Sequence, residues 1–108
     1  MALKVLALGG DGIGPEVVDA ALQVLEVASK SIGLPLDISE DVLGWTAWER
    51  YGTVIRPTTL SKAHACDALL VGAVGDPKWD HIVIEGGPED QDGLMKLRHE
   101  LQVFACLR

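Results

Sequence analysis

A short apolar run, Leu3 to Leu8, ends in Gly9-Gly10-Asp11-Gly12-Ile13-Gly14, and Pro15 follows at once. This junction restricts the fold more than any other feature of the chain. An apolar run of this length ended by glycines reads as a buried strand. Proline is at home in the first turn of a helix, where the N–H it lacks has no partner anyway. Glu16 complements the positive end of the helix dipole. Val18, Ala21, Leu22, Leu25, Ala28 and Ile32 then recur at helical spacing, and Gly33 and Pro35 end the helix. The opening third is therefore predicted to run from strand to helix through a glycine loop.

The remainder alternates in the same way. Leu36 to Leu43 carries Leu36, Ile38 and Val42 on one face, interrupted by Glu40, and reads as an exposed, edge-like strand. Trp45 to Tyr51 reads as a short helix closed by Gly52. Pro57 opens another helix, to about Cys66. Ala68 to Val74 is the clearest buried strand in the sequence. Gly75 to Pro88, rich in Gly, Pro and Asp, reads as a long loop. Gly93 to about Leu101 reads as helix, and Val103 to Leu107 as a last strand. Strands alternating with helices predict an α/β fold with a largely parallel sheet flanked by helices. The chain ends inside a predicted strand, so we expect the natural polypeptide to continue.

Composition narrows the function. At 108 residues the chain holds one domain or part of one. Nine Lys and Arg against 16 Asp and Glu leave a net charge of −7, which argues against nucleic acid as a partner. Aromatics make up only 5%, too few for a base-stacking platform. No apolar run approaches the ~18 residues of a membrane span, and the acidic opening does not read as a signal peptide. Cys66 and Cys106 are too few for a disulfide framework and are expected to be buried free thiols in a reducing cytoplasm.

The glycine loop leaves the carboxyl end of a strand, where ligands bind in α/β sheets. Glycines admit close backbone approach, and the helix that follows offers unpaired N–H groups. The dinucleotide fingerprint GxGxxG fails, because its third glycine falls on Pro15. No acidic residue at the end of the second strand is placed convincingly for a ribose. GxxxxGK[ST] is absent. From spacing alone, a ligand loop and a tight β-to-α turn both remain open.

Gly10-Asp11-Gly12-Ile13-Gly14-Pro15-Glu16 resembles the opening of the 3-isopropylmalate dehydrogenases and their isocitrate, tartrate and D-malate dehydrogenase relatives. Three further stretches agree in order and spacing. Leu70 to Asp80 resembles the family's next strand and loop. Gly93-Leu94-Met95-Lys96-Leu97-Arg98 resembles its substrate-recognition helix. Phe104 to Arg108 resembles the strand after that helix. Pro77-Lys78-Trp79-Asp80 and the leucine-type recognition helix lean toward the isopropylmalate branch.

The resemblance implies that the chain is the N-terminal part of a discontinuous cofactor- and substrate-binding domain. The full-length protein would be a cytoplasmic homodimer acting in leucine biosynthesis. The implied reaction transfers a hydride from a malate-type hydroxyl to NAD and then removes a carboxylate with the help of Mg²⁺ or Mn²⁺. By resemblance, Arg98 and Arg108 hold the malate carboxylates. A planar guanidinium grips a carboxylate through two parallel bonds. Leu94 and Met95, four and three residues before Arg98, share its neighbourhood on a helix, and the resemblance implies that they face the variable alkyl group of the substrate. The resemblance also implies that Ile13 touches the cofactor from the glycine loop. The family often carries a glutamate near the nicotinamide where this chain has Gln91, followed by Asp92, with Glu89 nearby. A tartrate- or D-malate-type substrate therefore stays open, as does a truncated, non-catalytic α/β module. The tyrosine, the lysine and the metal-binding aspartates of the family are expected beyond residue 108.

Other candidates are bland. His64, His81 and His99 lack metal-ligand spacing and read as surface residues. Trp45, Trp48 and Trp79 read as packing anchors. Asp76, Asp80 and Asp90 read as turn formers. Leu97 and Leu101 are expected in the core.

Overall fold

The computed structural model describes residues 1–88 and 90–108. Three parallel strands lie in the order β2-β1-β3: β1 (Leu3–Gly10), β2 (Leu36–Asp41) and β3 (Ala68–Ala73). Leu3 stands opposite Leu36, Val5 opposite both Ile38 and Ala68, and Gly10 opposite Ala73. Helix α1 (Gly14–Ile32) joins β1 to β2. Helices α2 (Trp45–Tyr51) and α3 (Pro57–Ala65) join β2 to β3, and α4 (Gly93–Glu100) follows a short 3-10 turn at Pro77–Trp79. The predicted α/β class and parallel sheet are present.

Apolar alternation explains the layers. Successive strand residues point to opposite faces. Leu6 and Leu8 are fully buried in one cluster with Leu43, Val54, Ile55, Ala63 and Leu97, which binds α3 and α4 to the sheet. Val5 and Ala7, also buried, alternate onto the other face, and α1 packs on β1 and β3. As the central strand, β1 is buried from Val5 to Leu8.

Four expectations need correction. β3, expected as the most buried strand, is only half-buried, because it forms an edge of this sheet. Residues 103–107 form no strand. Beyond Leu101 they carry no ladder hydrogen bonds, and Val103, Phe104 and Leu107 are exposed, so no burial offsets the entropy of ordering them. Cys106 lies in that exposed segment and is no core thiol, whereas Cys66 is partly buried and donates its S–H to Ala63 O. On α1, only Gly14 and Val18 are fully buried. Ala28 and Ile32, expected on the core face, are exposed, because the helix outruns the narrow sheet beneath it.

Candidate functional site

The glycine loop turns on Asp11, a buried side chain with 2% of its surface exposed. Its Oδ2 accepts from the N–H of Trp45 at 3.0 Å and of Gly75 at 2.9 Å. Its Oδ1 accepts from the N–H of Thr46 at 2.8 Å and lies 3.0 Å from the Thr46 hydroxyl. The Asp11 N–H in turn donates to Ala73 O at 2.7 Å. One carboxylate thus holds the loop, the start of α2 and the exit of β3 together. Sequence reasoning did not assign Asp11 a role of its own. The available signal was an acidic residue among glycines in a loop that leaves a buried strand.

Ile13 is the residue before α1 and is 60% exposed, so it offers an apolar side chain on the rim of this loop. Trp45, nearly buried, stacks on Trp79 with 4.7 Å between ring centroids and 13° between planes. Trp48 packs partly buried against the main core. All three tryptophans serve as packing anchors, as predicted.

Asp92 caps α4. Its Oδ1 accepts from the N–H of Leu94 at 2.9 Å and of Met95 at 3.2 Å, satisfying donors that have no partner within the helix. Helical spacing then divides the side chains between two grooves. Leu94 and Arg98, with Leu69, Val71, Leu97 and Leu101, line a cavity of about 350 Å³ between α4 and β3. Met95 lies with Gln91 and Asp92 in a separate groove of about 720 Å³, walled by Ile55 and Leu60. Leu97 is fully buried, Leu101 packs on the same cluster, and Leu94 is partly buried against it while also facing the cavity.

Arg98 reaches back to Met95, its Nη1 lying 3.6 Å from Sδ. Thioether sulfur is a weak acceptor, so the guanidinium keeps its donors for a stronger one. Gln91 accepts from the Lys96 ammonium. Arg108 lies in the exposed terminal segment, and the fold does not bring it to the Leu94–Arg98 cavity. Glu89, named beside Gln91 and Asp92, lies outside the described residues.

At the end of β2, Asp41 accepts from Arg56 at 2.7 Å and Lys62 at 3.0 Å. Burial alone would raise its pKa, but the bonds from Lys62, Arg56 and the Val42 N–H outweigh it and hold the carboxyl at about 2. Arg56 also sits 3.9 Å over the Tyr51 ring. Asp41 is thus spent on joining β2 to α3 and is not offered to a ribose.

The histidines are exposed. Asp76 and Asp90 stabilise turns, through the N–H of Lys78 and of Gly86. Among the described residues, no group of three or more His, Cys, Asp or Glu is placed to hold a metal ion. None of their helices is long and apolar enough to cross a membrane.

Known proteins place this arrangement. The chain is 44% identical over all its 108 residues to the 3-isopropylmalate dehydrogenase of Pseudomonas fluorescens (strain Pf0-1), spanning 29% of that protein's length. It is equally similar, at 44%, to the 3-isopropylmalate dehydrogenase of Xanthomonas oryzae pv. oryzae, of which it spans 30%. Among solved structures, the apo form of a β-decarboxylating dehydrogenase from Thermococcus kodakarensis matches 93% of this chain and 27% of its own, at 29% identity and a TM-score of 0.74. Isocitrate dehydrogenase from Methylococcus capsulatus matches 69% of this chain and 21% of its own, at 32% identity and a TM-score of 0.60. The sequence pattern of the family described as isocitrate/isopropylmalate dehydrogenase covers residues 4–108, and the chain belongs to that family.

Proposed function

We propose that this chain is the N-terminal part of an NAD-dependent oxidative decarboxylase acting on 3-isopropylmalate, a step of leucine biosynthesis. The observation that carries the reading is the seating of Leu94 and Arg98 on one apolar cavity, in a chain with the relatives just described. An alkyl branch gains by leaving water, at about 25 cal/mol per Å² of surface buried. Leu69, Val71, Leu94 and Leu101 supply that wall. Beside it, Arg98 grips a carboxylate through parallel N–H···O bonds. The apolar wall lowers the local dielectric and strengthens that grip. On this reading the second carboxylate is held outside this cavity, the place that the resemblance gives to Arg108, and Met95 meets Arg98 through its sulfur from the neighbouring groove.

The family's dinucleotide would lie along the rim of the glycine loop, where Ile13 leaves an apolar side chain exposed to pack on it. When bound, NAD accepts the hydride. Gln91 and Asp92 border the approach, Asp92 chiefly by orienting α4 through its cap. The described residues gather no ligand set for a divalent cation, so on this reading the side chains that hold Mg²⁺ or Mn²⁺ belong to the part of the enzyme outside them. This chain's share of the work is to bind and orient the substrate and to exclude water from one side of it. The same reading makes residues 1–108 one part of a discontinuous domain, in a cytoplasmic homodimer without nucleic-acid or membrane partners.

Gln91, at the position of the family's glutamate, favours a second reading, a tartrate or D-malate dehydrogenase. Steady-state kinetics on the product of the complete reading frame separates the two. Each buried methylene adds about 0.8 kcal/mol, so kcat/KM for 3-isopropylmalate should exceed that for D-malate by roughly tenfold or more. A preference for tartrate would overturn the assignment.

A further inference from the structure

We infer that Asp11 is a positioning residue, which sets the glycine loop against the helix that carries Leu94 and Arg98. Asp11 is too deeply buried to meet a ligand, so its effect must pass through its partners. It collects N–H donors from Trp45 and Thr46, 34 and 35 residues away, and from Gly75, 64 residues away. Only a group that accepts at both oxygens satisfies this set. An asparagine would turn an NH2 group against backbone N–H donors on one side.

The tie continues to α4 through two close approaches. Gly44, at φ +74°, is so near that a Cβ there would stand 2.4 Å from Asp11 Oδ2. Its N–H donates to Val54 O at 2.8 Å. A Cβ on Gly93, the first residue of α4, would come within 2.9 Å of that same carbonyl oxygen. The Asp11 carboxylate, Gly44, Val54 and Gly93 therefore form a series of close approaches, one of them a backbone hydrogen bond, from the glycine loop to the recognition helix. On the other side, Gly75 leads into the turn that stacks Trp79 on Trp45. The functional part of the inference rests on the reading proposed above: Asp11 fixes the distance between the cofactor rim at Ile13 and the substrate cavity at Leu94 and Arg98.

The stacked indoles, 4.7 Å apart, report the tie without any ligand, through the exciton couplet in circular dichroism that two close indoles give when their transition dipoles are twisted against each other. Asp11→Asn should lose the couplet, together with the exchange protection of the Gly75 and Trp45 amides. Thr46→Val should weaken both and Thr46→Ser should keep them. Val5→Ala, a core change on the α1 face of β1 and away from the tie, should leave them intact, all compared at equal folded fraction. In the product of the complete reading frame, Asp11→Asn should raise KM for NAD and for 3-isopropylmalate together, on the order of tenfold, while Val5→Ala moves neither. If Asp11→Asn does not fold, Thr46→Val decides. An unchanged couplet and unchanged protection in whichever variant folds would overturn the inference. Absence of isopropylmalate turnover in the unmutated enzyme would count against the proposed function and leave the spectroscopic result standing.

Discussion

Arg56 Nη2 stands 2.7 Å from Asp41 Oδ1, whose side chain keeps only 3% of its surface exposed. The pair closes the end of β2 onto the start of α3, and Lys62 adds a second charge at 3.0 Å. Asp41 is held at about 2, against 3.8 for an unperturbed carboxyl. A folded-state pKa below the unfolded one stabilises the fold above the unfolded value. That stabilisation is fully present above pH 4–5, and it is lost as pH falls through 3.8 toward 2. The shift corresponds to about 2 kcal/mol. Thermal melts between pH 7 and pH 2 should show this loss, and Asp41→Asn should flatten the curve over that window. Identical acid profiles for the two proteins would remove Asp41 as the cause.

Leu97 and Leu94 separate packing from recognition on a single helix. Leu97 is fully buried among Leu6, Leu8 and Ala63. Leu97→Ala should therefore cost 2–5 kcal/mol of stability, the usual range for opening such a cavity. Leu94 is only partly buried and faces the groove. Leu94→Ala should cost less, below about 2 kcal/mol. Urea unfolding monitored by tryptophan fluorescence measures both, and equal losses would make Leu94 an ordinary core residue.

The sequence made some of this legible and hid the rest for physical reasons. β1, its glycine loop, α1 and the capped α4 depend on local periodicity and on neighbours a few residues away, and each forms where the pattern puts it. Residues 103–107 have strand composition, but a strand also needs a neighbouring ladder, which composition cannot supply. Helical spacing placed Leu94, Met95 and Arg98 together on α4. It could not say that α4 would turn Leu94 and Arg98 to one groove and Met95 to another, because that depends on where β3 and α3 stand. Asp11 looked like one more loop residue because its partners are 34 to 64 positions away.

The outer face of α1 carries Val17, Val24, Val27 and Ile32, with Val24 and Val27 each 70% exposed. Apolar side chains arranged this way favour association over exposure to water. The 108-residue chain alone should self-associate as its concentration rises, and Val24→Lys combined with Val27→Glu should return it to a monomer. Sedimentation velocity over a concentration series tests this. A chain that stays monomeric throughout would show that the face is tolerated bare.

Arg98 provides the sharpest test of the substrate reading. Its guanidinium lies beside an apolar wall, and its one side-chain hydrogen bond among the described residues is to the weak acceptor Met95 Sδ. Arg98→Lys keeps the positive charge but replaces a planar fork with a point charge, so one of two parallel bonds to a carboxylate is lost. A hydrogen bond to a charged group is worth roughly 1.5–3 kcal/mol, so kcat/KM for 3-isopropylmalate should fall by about tenfold to a hundredfold. Arg98 is exposed on the helix surface, so the melting temperature should hardly change. A loss of activity with unchanged stability assigns Arg98 to the substrate. If activity persists, Arg98 is one more solvated charge on α4, and the carboxylates must be held elsewhere.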